Sequence, residues 1–221
     1  MQVARKKIQF IICLMSLIFF SGCITFTKGH LIKANIQGKY AFLVVDIQKD
    51  FMQAEGKLPI DSQQAKTILK TINAVVESID ANGFEIVYIG NEFSSSDWIA
   101  NWLRNHAALK GKEGAKLDPR LNIVNNIYFS KDQPDAFSND KFDLYLRNKK
   151  VNKLIIAGVF AGQCVLATAR GALQRGYEVI VLSDGVGAKN DDNLKEALRK
   201  HKKDGTVVMS SAKFLESLVE K

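Results

Sequence analysis

The sequence predicts one α/β domain, a doubly wound, mainly parallel sheet of six strands with helices on both faces. First, short apolar runs alternate with segments of helical periodicity from Lys39 onward, which is typical of βαβ units. Second, the apolar runs are continuous, as expected of strands that are buried on both faces. Third, 221 residues that are 47% hydrophobic suffice for one sizeable core.

The first three elements can be placed from their patterns. The run YAFLVVD at 40–46 predicts a strand, and FEIVYIG at 84–90 predicts a second strand. Between them, apolar side chains recur at helical spacing over 61–83. Asp61 is expected to cap this helix and Gly83 to end it.

The rest of the chain continues the alternation after one mixed stretch. Residues 91–121 contain SDWIANWLRNHAALKG and predict one helix plus a loop. Residues 122–129 predict the third strand. The remaining predicted elements are helix 139–150, strand 153–159, helix 164–176, strand 177–184, helix 190–205, strand 206–209 and helix 211–221.

The first 23 residues predict a targeting signal, with a positive segment MQVARKK, an apolar run at 8–20 and the small residues SGC. The apolar run is shorter than the roughly 20 residues that a spanning helix needs. FSGC resembles a bacterial lipobox, which makes Cys23 the lipidation candidate. Phe20 stands where leucine is commoner, so a cleaved secretory signal and an uncleaved anchor stay open.

From this signal we expect an exported, membrane-associated bacterial lipoprotein on the periplasmic or cell-surface side. A tether is expected at 24–38 and the folded domain at 39–221. The net charge of +8 includes three basic residues of the signal, and the other positive charges are scattered. A mildly basic surface of this kind predicts no nucleic-acid partner, and membrane contact only through the N-terminal lipid or anchor.

Cys164 is the one free cysteine expected in the mature domain. Cys13 lies in the apolar run and Cys23 is the lipidation candidate, so no internal disulfide is expected. An unpaired thiol in an oxidising compartment is a liability unless it is buried or used. Taken alone, Cys164 is compatible with a packed small hydrophobe, a redox thiol, a metal ligand or a nucleophile.

Two polar residues are expected at the same edge of the sheet as Cys164. Asp46 ends the first predicted strand, Lys131 follows the third, and Cys164 follows the fourth and opens a helix. The carboxyl ends of the strands are where doubly wound sheets bind ligands. A carboxylate can take a thiol proton, while an ammonium and a helix N-terminus favour the thiolate. Each residue taken alone is explained at least as well by a structural role, but the three together indicate nucleophilic catalysis.

Three motifs in this order resemble those of the isochorismatase-like cysteine hydrolases, which include nicotinamidases and carbamoylsarcosine amidases. LVVDIQKDF contains the aspartate, KDQPDAF the lysine, and GVFAGQCVLATARGALQRGYEVIVLSDG the cysteine. The resemblance covers about residues 39–221. Asp135 stands where serine is usual, and Ala161 and Gly162 replace the usual Thr-Asp or Thr-Asn before the cysteine.

The resemblance implies a catalytic triad of Asp46, Lys131 and Cys164. It implies hydrolysis of a small-molecule amide or ureido C–N bond through a thioester, with the substrate and water as partners. It also implies a cis peptide at Val159–Phe160, with the backbone N–H groups of Phe160 and Cys164 as the oxyanion hole. A homo-oligomer is the default expectation.

The histidine pattern predicts no metal, and no other cofactor is expected. Nicotinamidases carry an Asp-x-His element and a further histidine after the second strand, whereas NEFSSSDWIANWLRNHAALKG contains only His106. His30, His106 and His201 share no ligand spacing. This departure argues against nicotinamide as the substrate, and the cysteine argues against the isochorismatase reaction itself.

The substrate-binding candidates are Gln48, Phe51, Trp98 and Phe137, beside Phe160. For Phe51 and Phe137, packing in the core is an equal expectation.

Two functions of other classes stay open. One is a non-catalytic, membrane-anchored binding lipoprotein with this fold, which the intact Asp, Lys and Cys set disfavours. The other is a thiol redox protein that uses Cys164, which the lack of a second thiol in the mature domain disfavours.

Overall fold

The structure, a computed structural model, describes residues 26–32, 38–80 and 83–219. The predicted signal at 1–23, and with it the lipidation candidate Cys23, lies outside these ranges and stays a prediction. Among the described helices, none is both long and apolar enough to cross a membrane.

Within the described residues the sheet has six strands. They are β1 (Lys39–Val45), β2 (Glu85–Asn91), β3 (Tyr128–Lys131), β4 (Val151–Val159), β5 (Glu178–Gly187) and β6 (Val207–Met209). All pairings are parallel and the order across the sheet is β3-β2-β1-β4-β5-β6. The predicted fold class is therefore confirmed. The direction of winding reverses between β1 and β4, and this is where doubly wound sheets form their ligand crevice.

Seven α-helices connect the strands of the described chain. They are α1 (Lys49–Met52), α2 (Ser62–Ile79), α3 (Trp98–Leu103), α4 (Asp140–Asn148), α5 (Cys164–Gln174), α6 (Asp191–Lys203) and α7 (Ser211–Val219). Two single 3₁₀ turns lie at Glu113–Ala115 and Ala136–Ser138. One face of the sheet packs against α2 and α7, and the other against α4, α5 and α6.

The apolar run of β1 is continuous because its two faces enter two different cores. Phe42 and Val44 join the cluster beneath α2, whereas Leu43 and Val45 join the cluster beneath α5. Helix α2 begins as predicted, since the carboxylate of Asp61 accepts hydrogen bonds from the backbone N–H groups of the first turn.

The third strand is shorter and later than the sequence predicts. Only 128–131 pairs with β2, and the residues before it are irregular. Side chains satisfy this irregular backbone: the Tyr88 hydroxyl donates to the Asn122 carbonyl and accepts from the Val124 amide. Periodicity alone does not reveal such side-chain substitutes for strand pairing. Consequently Lys131 is the last residue of the strand, and does not follow it.

The helix expected in 91–121 is also shorter than its pattern suggests. It covers only α3, after which Asn105, His106 and Ala108 adopt positive φ angles of 54°, 55° and 50°. The buried Asp50 carboxylate accepts a hydrogen bond from the Ala108 amide at 2.8 Å. This tertiary contact accounts for a compact turn where the sequence pattern would continue a helix.

Residues 26–32, the described part of the predicted tether, lie against the domain. The amide and hydroxyl of Thr27 both donate to Asp135 Oδ2 at 2.7 Å. The Arg175 guanidinium donates to the Thr27 carbonyl at 2.8 Å, and the Ile32 amide donates to the Arg175 carbonyl at 2.8 Å. This segment therefore packs on the end of α5.

Candidate active site

The candidate site lies at the carboxyl edge of the sheet, at the reversal between β1 and β4. Asp46 directly follows β1, and Cys164 is the first residue of α5, which follows β4. A glycine is required where these two strands meet: Gly158 has φ of 136°, and a Cβ there would lie 2.0 Å from the Val45 carbonyl oxygen. Close approach of β4 to β1 thus brings the aspartate and the cysteine together.

The structure brings all three residues of the predicted triad into one buried cluster. The Lys131 ammonium lies 3.0 Å from Asp46 Oδ2, and the side chains of both residues are at most 1% exposed. Cys164 is 8% exposed and is buried with them.

Asn91, at the end of β2, is a fourth member that sequence reasoning missed. Its Nδ2 donates to Asp46 Oδ2 at 2.7 Å and lies 3.7 Å from Cys164 Sγ, while its Oδ1 accepts from Lys131 Nζ at 2.7 Å. The signal was available, since Asn91 is the polar residue that follows the apolar run of β2 at the same edge of the sheet.

The two oxygens of the Asp46 carboxylate have different surroundings. Oδ2 accepts hydrogen bonds from both Asn91 and Lys131. Oδ1 is buried and has no hydrogen-bond partner among the described residues. A carboxylate oxygen of this kind is unusual, because buried acceptors are almost always paired. It is free to take a proton.

Burial and charge act in opposite directions on the Asp46–Lys131 pair. Burial raises the pKa of the Asp46 carboxyl, and the Lys131 ammonium opposes the rise. Burial, the largest single effect, lowers the pKa of Lys131, but the interactions of its ammonium with Asp46 and Cys164 together outweigh burial and hold that pKa above its ordinary value. Asp46 is therefore a stronger base than an ordinary aspartate, beside a permanent ammonium.

The Cys164 thiol is not an activated thiolate in this state of the site. Burial raises its pKa to about 11; Lys131 opposes this rise, and the neighbouring Asp46 charge adds to it. The ammonium lowers this pKa in the expected direction, but burial of the thiol and the neighbouring Asp46 carboxylate raise it by more, so the net shift is upward. A base must therefore remove the thiol proton during the reaction.

The loop between β4 and α5 presents two free backbone amides. The Val159–Phe160 peptide is cis, as the family resemblance implies. Within the described chain, the N–H groups of Phe160 and Cys164 donate to no acceptor. The loop is held from behind, since the Ala161 amide donates to the Gly187 carbonyl at 2.7 Å and His201 Nε2 lies 3.0 Å from the Ala161 carbonyl oxygen.

The four substrate-binding candidates lie in different environments. Phe51 is buried edge-on to Phe160, with 5.6 Å between the ring centroids. Trp98 is 72% exposed on α3, whereas Phe137 is buried in the core between Phe142 and Tyr177.

Gln48, the fourth candidate, is fully buried and bonds to the strand that carries Asn91. Its amide Nε2 donates to the Asn91 carbonyl at 2.7 Å, and its Oε1 accepts from the Asn91 amide at 2.8 Å. The side chain also donates to the Ala115 carbonyl at 2.5 Å. Gln48 thus fixes the end of β2, and its polar atoms are occupied by backbone.

The described side chains do not fit a divalent metal ion after β2. Within 26–32, 38–80 and 83–219, no three His, Cys, Asp or Glu side chains lie together as metal ligands would. Glu92, which follows Asn91, accepts a hydrogen bond from the Tyr128 hydroxyl at 3.0 Å. His201 is buried beneath the Ala161 loop and His106 is exposed on a turn.

Comparison with known proteins identifies the family. The model of the isochorismatase domain matches residues 40–213. An isochorismatase-like hydrolase from Alkaliphilus metalliredigens superposes with a TM-score of 0.76 at 26% identity, covering 82% of this chain and 100% of that one. N-carbamoylsarcosine amidase from Thermoplasma acidophilum superposes with a TM-score of 0.68 at 25% identity, covering 78% and 96%.

A relative described as a probable inactive nicotinamidase, from Arabidopsis thaliana, is 28% identical over 159 residues, which are 67% of this chain and 80% of the relative. Membership of the family therefore does not by itself establish activity, and the residues of the site have to support it. By its match over most of its length, this chain belongs to the isochorismatase family.

Proposed function

We propose that the protein is a cysteine hydrolase that cleaves the C–N bond of a small amide or ureido compound through a thioester. The single observation that carries this proposal is the unpartnered Oδ1 of Asp46 in a buried cluster with Cys164 and Lys131. Amidases among the relatives support the class of substrate.

The first step transfers the thiol proton as the carbon–sulfur bond forms. Cys164 Sγ attacks the carbonyl carbon, and its proton passes to Asp46 Oδ1. The pKa of the thiol, raised to about 11 by burial, means that attack and proton transfer are coupled. Lys131 remains an ammonium throughout, and compensates the negative charge on sulfur and carboxylate.

The tetrahedral oxyanion would be bound by the free N–H groups of Phe160 and Cys164. One such donor contributes about 3 kcal/mol to the stability of the transition state. Collapse of the intermediate breaks the C–N bond, and Asp46 returns its proton to the departing nitrogen, which leaves as ammonia or an amine.

Hydrolysis of the thioester reverses the roles. Asp46 takes a proton from water as the water oxygen attacks the thioester carbonyl, and the same amides bind the second oxyanion. The C–S bond then breaks, the thiolate recovers the proton from Asp46, and the acid product is released. The cycle needs neither a metal nor an external oxidant.

The test is a screen for ammonia or amine release over small amides and ureides, with Cys164→Ala as the control. Turnover by the wild type that is lost in a folded Cys164→Ala protein is the expected result. Wild-type turnover in Cys164→Ala contradicts the proposal.

We further propose that Cys23 is lipidated and anchors the enzyme to a membrane, which rests on the lipobox-like FSGC alone. In bacteria given a labelled fatty acid, the full chain is expected to carry the label in the membrane fraction. Cys23→Ala should remain unlabelled, and an equally labelled variant contradicts the assignment.

A further inference from the structure

We propose that Asn91 is a positioning residue of this site. Its amide nitrogen donates a hydrogen bond to Asp46 Oδ2, so that Oδ1 stays available as the proton acceptor, and it donates a second hydrogen bond to the sulfur of Cys164. This inference rests on the proposed function, and it adds a residue that lies outside the predicted triad.

The orientation of the Asn91 amide follows from its neighbours. Lys131 has only donors, so the asparagine atom that faces it at 2.7 Å must be the oxygen. The amide nitrogen then faces the opposite way, towards Asp46 Oδ2 at 2.7 Å and Cys164 Sγ at 3.7 Å. The two hydrogens of the Asn91 amide thus point to the proposed base, Asp46, and to the proposed nucleophile, Cys164.

The position of Asn91 is fixed by backbone contacts as well as by the side-chain cluster. It is the last residue of β2, and is paired in register with Lys131 of β3. Gln48 holds both its amide and its carbonyl, as described above. Because Asn91 is 2% exposed, water cannot readily replace its side chain.

Asn91 and Lys131 together occupy Asp46 Oδ2 and leave Oδ1 free. Without the Asn91 amide, Oδ2 has only the lysine as a donor, and the carboxylate loses one of two restraints on its rotation. The hydrogen bonds from Asn91 also lower the pKa values of Asp46 and Cys164 against the larger effect of burial. Removing them should therefore make both groups harder to ionise.

The experiment uses Asn91→Ala and the isosteric Asn91→Asp, with two readouts. Asn91→Ala is expected to lower kcat/KM by about 100-fold, as loss of one preorganised donor does. The acid limb of its pH profile should move to higher pH. Iodoacetamide alkylation of Cys164, followed below the pKa of the thiol and without substrate, should slow by about tenfold for each pH unit of upward shift.

Asn91→Asp places a second carboxylate beside Asp46. The shift of the acid limb and the slowing of alkylation should therefore both be larger than in Asn91→Ala. This variant keeps the volume of the side chain and provides the test if Asn91→Ala fails to fold. Asn125→Ala is the matched control: Asn125 donates to the Ile86 carbonyl and accepts from the Ile127 amide, and both of these bonds lie outside the Asp46 cluster. It should leave both profiles unchanged.

Folded Asn91 variants with the alkylation and pH profiles of the wild type overturn the inference. Cys164→Ala separates this failure from failure of the proposed function. If Cys164→Ala is inactive while the Asn91 profiles do not move, only the role of Asn91 is wrong. If Cys164→Ala keeps wild-type turnover, the proposed function itself is wrong.

Discussion

Asp46 and Asp135 are two buried carboxylates, each 1% exposed, that differ in how many of their oxygens accept hydrogen bonds. Asp135 uses both oxygens: Oδ1 accepts from the Phe137 amide, and Oδ2 accepts from the amide and the hydroxyl of Thr27. Asp46 receives two donors on Oδ2 and none from the described residues on Oδ1.

The difference between the two carboxylates matches a structural role for Asp135 and the general-base role that we propose for Asp46. Burial raises the pKa of both, and hydrogen bonds oppose that rise in both. Both oxygens of Asp135 accept hydrogen bonds, from the Phe137 amide and from Thr27, so neither oxygen is left to take a proton. Asp46 keeps a basic oxygen beside a thiol, which is the arrangement that a general base requires.

The largest expected effect comes from exchanging the base for an amide. Asp46→Asn cannot take the thiol proton, so turnover per folded molecule should fall by about 1,000-fold, within the range for general-base removal. Asp135→Asn should keep turnover within about twofold by the same reasoning. Steady-state rates, normalised to folded protein by circular dichroism, make the comparison. Equal losses of turnover in Asp46→Asn and Asp135→Asn would contradict the different roles of the two carboxylates.

Asp135→Ala should instead lower stability. It leaves three donors, the Phe137 amide and the amide and hydroxyl of Thr27, without their buried acceptor. The expected loss in the free energy of unfolding is about 3 kcal/mol. Urea unfolding measures it, and an unchanged midpoint would show that the segment at 26–32 does not dock as described.

Cys164 provides a pH test of the reactive cluster. Its thiol pKa in the fold is about 11, above its ordinary value of 9.0, so the folded state resists ionisation. The thiol therefore contributes no pH dependence below about pH 8, and its contribution falls as pH rises from about 9 to about 11. By about pH 10.5 the wild type should have lost about 2 kcal/mol relative to Cys164→Ala.

Urea unfolding of the wild type and of Cys164→Ala at about pH 8 and about pH 10.5 checks this prediction, because the titrating groups outside the Asp46–Lys131–Cys164 cluster are common to the two proteins. A difference that stays constant with pH would indicate an ordinary thiol pKa. A wild type that gains stability with rising pH would indicate a lowered one.

The smallest expected effect is that of Thr27→Val, which removes one hydroxyl. Asp135 Oδ2 keeps the Thr27 amide as a donor, so the loss should be about 1 kcal/mol. Turnover should not change, because the described bonds of Thr27 go to Asp135 and Arg175, outside the Asp46 cluster. Thermal unfolding and one rate measurement suffice, and a large loss of rate would tie the segment to catalysis.

The parts of the site that could be predicted are those that obey a topological rule. Asp46, Lys131 and Cys164 stand at the ends of strands, and the parallel sheet places those ends at one edge. Asn91 obeys the same rule, and a search of every strand end for polar residues would have found it.

Other features depend on contacts that sequence patterns do not carry. Asp135 reads as a departure from a family motif, but its partner Thr27 lies 108 residues earlier, in a segment that reads as a tether. The raised pKa of Cys164 depends on its burial and on the Asp46 charge, and neither follows from its place at the start of a helix. The third strand starts late, where the Tyr88 hydroxyl bonds the backbone of Asn122 and Val124 and the Asn125 side chain accepts from the Ile127 amide.

The central claim is that Cys164 carries the acyl group while Asp46 moves the proton. Acylation by p-nitrophenyl acetate tests it most directly, because nitrophenolate release and the mass of the tryptic peptide that contains Cys164 can be followed in one sample. We predict a burst of one equivalent per protein, with the acetyl group on Cys164, and no burst in Cys164→Ala. A burst that persists in Cys164→Ala, or an acetyl group on another residue, would contradict the account.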